Sequence, residues 1–129
     1  MRATIFVMVT AAMIATVGCV STVNDRTTMG VPFVKDRVEG RYVRTVDQVF
    51  EASKEVIKKD GVITRDGNLY ETNVVKVVEG RVNQCHIWVR VQPVDQKTTS
   101  VTVQARTKAG GSNMDLAFQI EKEIALTLK

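Results

Sequence analysis

Few residues in this chain could do chemistry: one histidine (His86), two cysteines (Cys19 and Cys85) and one tryptophan (Trp88). Cys85 directly precedes His86, and a thiol beside an imidazole would make an activated nucleophile. Yet neighbouring residues of an extended strand point to opposite faces, so these two side chains cannot meet. A Ser–His–Asp set could be built only around His86, and no motif surrounds it. A single histidine excludes a His-rich metal site. Zinc needs three or four N, S or carboxylate ligands at suitable spacing, and that spacing is missing. Gly61, Gly67, Gly80 and Gly110–Gly111 fall at expected turns and form no phosphate-binding loop. The sequence therefore predicts no catalytic residues, no metal and no cofactor: a protein that is not an enzyme.

Cys19 stands in a different context. Met1–Arg2 is a short positive start, and residues 3–17 follow without a charge. A run of this length is too short for a comfortable membrane span, which needs about 20 residues, and fits the apolar core of an export signal. Thr16–Val17–Gly18–Cys19 resembles the lipobox of bacterial lipoproteins. That resemblance implies cleavage between Gly18 and Cys19 and acylation of Cys19, whose sulfur would carry a diacylglyceryl group. Each buried methylene adds about 0.8 kcal/mol, so two or three chains hold a protein stably on a bilayer. The position three before the cysteine is usually leucine and here is Thr16. Ordinary signal peptidase cleavage after Gly18 is the alternative, and would release a soluble periplasmic or secreted binding module. Val20 after the cysteine, in place of aspartate, favours the outer over the inner membrane. The expected organisation is a signal peptide at 1–18, a lipidated cysteine and tether at 19–40, and one domain at 41–129.

Apolar residues make up 44% of the chain and charged residues 25%, as in ordinary globular domains. The net charge of +4 is dispersed, with no basic run longer than Lys58–Lys59. Nucleic-acid binding needs a concentrated basic patch, so no nucleic-acid partner is expected.

The elements that must position these residues follow from periodicity. A short strand is expected at 41–44. Thr45 with Gln48 reads as a capping box, opening a helix over 46–60 whose apolar face carries Val49, Phe50, Val56 and Ile57. Gly61 reads as the residue just past its end. A strand at 62–65 and a turn at Asp66–Gly67 follow, then two strands joined by a hairpin at Glu79–Gly80. Cys85, Ile87, Val89 and Val91 alternate towards a core, which turns His86, Trp88 and Arg90 outward. Val101, Val103 and Ala105 repeat the pattern, with Gln104 and Arg106 outward. Ser112 reads as the cap of a last helix, whose stripe is Leu116, Ala117, Ile120, Ile124 and Leu128. Clean alternation means one covered and one exposed face. The predicted fold is α+β: a two-layer sandwich, with a twisted antiparallel sheet of three to five strands and two helices packed on one face.

On that reading, His86, Trp88 and Arg90 form an exposed patch of a composition favoured at interfaces, suited to a protein partner in the cell envelope. The lipobox, the stretch Thr45–Val46–Asp47–Gln48–Val49–Phe50–Glu51–Ala52, and Gly110–Gly111–Ser112 leading into the last helix together resemble a family of small bacterial lipoproteins catalogued as a domain of unknown function. The resemblance covers roughly residues 39–128. It implies a membrane-anchored envelope protein of binding or structural role, and brings no catalytic residues with it.

Overall fold

The computed structural model describes residues 18–21, 27–30, 36–69 and 74–129, the first two segments as backbone. Strands β1 (Gly18–Ser21) and β2 (Thr27–Gly30) pair with each other, antiparallel. The remaining elements are β3 (Arg37–Tyr42), α1 (Val46–Asp60), β4 (Gly61–Asn68), β5 (Lys76–Val82), β6 (Cys85–Pro93), β7 (Thr99–Arg106) and α2 (Met114–Thr127). Strands β3 to β7 form one sheet in the order β3-β7-β6-β5-β4, with every neighbouring pair antiparallel. Four successive reversals leave β3 and β4 running in the same direction at opposite edges. The link between them must cross a face of the sheet, and α1 is that link. The architecture is the α+β sandwich that the alternation predicts.

Helix α1 starts where the capping box places it. The Gln48 amide N–H donates to Thr45 Oγ1 at 3.2 Å, and the Thr45 N–H donates to Gln48 Oε1 at 3.0 Å. Its buried side is Val49, Phe50, Ala52, Ser53, Val56 and Ile57. Helix α2 buries Leu116, Ala117, Ile120 and Ile124. Both stripes meet Val38, Val78, Val82, Cys85, Ile87, Val89, Val91, Val101, Val103 and Ala105 in a single core on one face of the sheet. Cys85 lies within that core, where its Sγ accepts from Asn113 Nδ2 at 3.5 Å.

Several local expectations are corrected. The hairpin between β5 and β6 turns at Asn83–Gln84, whose φ values of 49° and 65° are both left-handed, as a type I′ turn demands. Glu79–Gly80 instead lies inside β5. A Cβ on Gly80 would sit 2.5 Å from the Val62 carbonyl oxygen and 2.8 Å from Ile57 Cγ2, so this glycine marks a close approach of backbone and helix. Gly61 ends α1 as expected, with an extended φ of −167°. Asp66–Gly67 continues β4. The cap of α2 is Asn113, whose Oδ1 accepts from the Leu116 N–H at 3.1 Å, and not Ser112, which bridges to Arg106. The first strand of the sheet runs over Arg37–Tyr42 rather than 41–44, so it begins within the segment expected to be tether. Its alternation is hidden by Gly40 on the core side and by Arg37, Glu39 and Arg41 on the other.

Candidate functional site

The register of β6 puts His86, Trp88 and Arg90 together on the face away from the helices, as the alternation predicts. The His86 and Trp88 rings stack, with centroids 5.7 Å apart and planes inclined by 22°. The expected exposure, however, is corrected. Trp88 is only 8% exposed, while His86 and Arg90 are half-buried. The reason is that this second face is buried across the middle of the sheet. Val77 and Gln104 are fully buried, and Glu79, Ser100 and Arg106 nearly so. Glu79, Trp88, Gln104 and Arg37 form one continuous row across β5, β6, β7 and β3.

The polar end of this region is a cluster that the sequence reading did not contain. Asp36 precedes β3 and turns its carboxylate onto β7. Its Oδ2 accepts from Gln104 Nε2 and from Arg106 Nε (3.0 Å) and Nη2, and its Oδ1 accepts from Arg37 Nε at 3.2 Å. Arg106 Nη1 donates to the Gly110 carbonyl at 2.6 Å. Asp36 is 7% exposed and Arg106 3%. Burial pushes the Asp36 carboxyl up, but the hydrogen bonds from Arg106 and Gln104 and the charges of Arg106 and Arg37 outweigh it and hold it below its ordinary 3.8. The one signal in the sequence was a lone aspartate in front of an arginine-bearing strand. With four hydrogen bonds from neighbouring side chains, the carboxylate is arranged as a structural clamp.

A second acidic feature lies on the helix side. Glu123 of α2 and Asp60 at the end of α1 bring two carboxyl groups together, and each has an oxygen shielded from solvent that finds a partner only when one of the two carries a proton. Hydrogen bonding with Asp60 and burial raise the Glu123 carboxyl above its ordinary 4.5. Ionised Glu123 therefore disfavours the folded state, and the pair's contribution is lost as pH rises through the folded value. Glu123→Gln is expected to stabilise the protein at neutral pH and to flatten this part of its pH profile. Denaturant midpoints at pH 4 and pH 7 test this, and a variant less stable than its parent at pH 7 would count against it. A shallow groove of about 260 Å³ beside this pair is lined by Glu55, Val56, Lys59, Glu123, Leu126 and Thr127. It is open, small for a ligand site, and remote from His86, Trp88 and Arg90.

Gly18 and Cys19 lie in β1, where Gly18 pairs with Gly30 and Cys19 with Met29. The bond expected to be cleaved is thus within a paired strand. A two-stranded hairpin alone is marginally stable, so it is a weak obstacle to a peptidase. The residues before Gly18, including Thr16 and Val17, and residues 22–26 and 31–35 of the expected tether lie outside the described residues. Among the described residues, no group of three or more His, Cys, Asp or Glu could hold a metal ion, and no helix is long and apolar enough to cross a membrane.

None of the curated proteins searched matches the chain. A family model described as "Protein of unknown function (DUF3568)" matches residues 2–118, nine-tenths of the sequence. By this match the chain belongs to the DUF3568 family.

Proposed function

We propose that the protein is a membrane-anchored lipoprotein of the bacterial envelope with a non-enzymatic, binding or structural role. The observation that carries this reading is Cys19, placed directly after Thr16–Val17–Gly18 at the end of an uncharged run that begins at Ala3. Peptidase access needs small residues before the cleaved bond, and acyl transfer needs a thiol immediately after it. This stretch supplies both. The anchor is the acylated Cys19, the domain faces the periplasm, and Val20 favours the outer membrane. The partner is an envelope protein held within reach of the anchor. A soluble periplasmic or secreted binding module is the second reading, favoured by Thr16 where lipoboxes carry leucine.

The test is metabolic labelling with an alkyne analogue of palmitate, followed by membrane fractionation. The wild type is expected to take up the label and sediment with membranes. Cys19→Ala is expected to lose all label and to accumulate as the longer precursor. An unlabelled wild type of mature length in the soluble fraction would establish the second reading. Cross-linking in cells, comparing wild type with Cys19→Ala, then identifies the partner as a protein captured only by the anchored form.

A further inference from the structure

The two edges of the sheet are not alike. Strand β4 has a register break between Ile63 and Arg65, and a bulge of this kind keeps an edge from pairing further. Strand β3 has no break: Arg37 to Tyr42 pair in continuous register with β7. Among the described residues, no strand pairs with the outer side of β3. Such an edge offers alternate N–H and C=O groups as a template for another strand.

The side chains of β3 indicate which strand. Arg37, Glu39 and Arg41 are exposed on the face away from the helices, and Val38, Gly40 and Tyr42 lie on the helix side. Antiparallel pairing with a second β3, with both cores on one side of the joined sheet, must centre on a residue, because opposed residues share a face. Centring on Glu39 sets two glutamates against each other, and centring on Arg41 sets two arginines so. Centring on Val38 brings only Arg37 to Glu39 of the strand into register. Centring on Gly40 aligns Val38 to Tyr42, sets Glu39 opposite Arg41 twice and Val38 opposite Tyr42 twice, and puts no side chain on the axis. Opposite charges directly across a pair are favourable and like charges are not.

Helix α2 fits the same axis. The Asn113 N–H donates to the Ala105 carbonyl, the Tyr42 hydroxyl donates to Glu121 Oε1, and Arg44 donates to the Leu128 carbonyl. The helix therefore runs alongside β3 in the same direction, with Glu121 level with Gly40. Phe118, Lys122 and Ala125 follow at helical spacing on the flank next to Glu121, and Phe118 is 52% exposed. Because α2 packs on both β3 and β7, joining two β3 edges at the usual strand spacing brings the two α2 axes to about 10 Å, the distance at which helices pack. The axis then sets Phe118 near Ala125, and Glu121 near Lys122, of the second copy.

We propose that the outer edge of β3 and the adjoining flank of α2 are the docking site of a second copy of this chain, joined antiparallel about Gly40 into one ten-stranded sheet. The Glu39–Arg41 ladder sets its register, and Phe118 is its apolar contact. This inference does not depend on Cys19 being acylated.

Sedimentation equilibrium of the full chain in density-matched detergent tests it. The wild type is expected to be a dimer. Glu39→Arg alone and Arg41→Glu alone each set like charges across both ladder pairs, and each is expected to raise the dissociation constant about tenfold or more, with far-UV circular dichroism unchanged. The double variant Glu39→Arg with Arg41→Glu is expected to restore the dimer. Mixing the two single variants is expected to give a heterodimer, since one strand then carries two arginines opposite two glutamates. A monomeric wild type would overturn the proposal. So would a dimer indifferent to the single changes, or folded single variants that stay monomeric when mixed. Should a single variant fail to fold, Phe118→Glu decides: it lies outside β3, and a dimer it does not weaken would overturn the proposal.

Discussion

Arg106→Ala is expected to lower the free energy of unfolding by about 3–5 kcal/mol, the range for removing one partner of a buried ion pair. The size follows from what is left behind. Asp36 would keep its burial but lose the Arg106 charge and both guanidinium bonds to Oδ2, and the Gly110 carbonyl would lose its donor. Arg37 is too exposed to compensate, with 42% of its side chain open to solvent. Changing both partners is expected to cost much less than the single change, because Asp36→Leu with Arg106→Met leaves no buried charge without a counter-charge. The same clamp sets an acid limit. Asp36 has its folded value below its ordinary 3.8, so its contribution is complete above the ordinary carboxylate range and is lost as pH falls through the folded value. Denaturant unfolding at pH 7 and pH 3 should show a steeper acid loss in the wild type than in Asp36→Asn. Equal acid slopes would mean that the clamp does not couple protonation to folding.

The clamp also explains why the sequence foretold one layer of this molecule better than the other. Alternation of Cys85, Ile87, Val89 and Val91, and of Val101, Val103 and Ala105, identifies the helix-facing core because burial there depends on side-chain type alone. The other face carries His86, Arg90, Gln104 and Arg106, a composition that reads as solvated. Gln104 and Arg106 are held there by Asp36, seventy residues before Arg106, and a long-range ion pair leaves no periodic trace. The capping box at Thr45 and Gln48 was legible because all its partners lie within four residues. Glycines misled for a physical reason. Gly80 is required by the close approach of the Val62 carbonyl and of Ile57, and on paper it looks like a glycine required by a turn. The actual turn uses Asn83 and Gln84, left-handed without a glycine. Of the candidate site, the sequence placed His86, Trp88 and Arg90 on one face correctly, and it could not show that the middle one is covered.

Gly61→Ala is expected to destabilise the fold by about 3 kcal/mol, at the upper end of overpacking costs, although its backbone suits any residue. With φ −167° there is no conformational penalty for alanine. The obstacle is steric: an added Cβ would lie 1.9 Å from the Arg81 carbonyl oxygen and 3.0 Å from Val82 Cγ2. Arg81 cannot move away freely, since it sits in β5 one residue before the last pair, Gly61 with Val82, that precedes the Asn83–Gln84 turn. Gly61 cannot move either, because its N–H donates to the Ile57 carbonyl and ends α1 on the residue that begins β4. Either the helix end or the edge strand must give. Gly67→Ala is the contrasting case, with open space around the site but φ +144°. Its cost is conformational and about 1 kcal/mol. Thermal or denaturant unfolding of the two variants separates these mechanisms. A Gly61→Ala variant no less stable than Gly67→Ala would mean that β4 slides along β5 at little cost, and that α1 is not fixed by the strand that follows it.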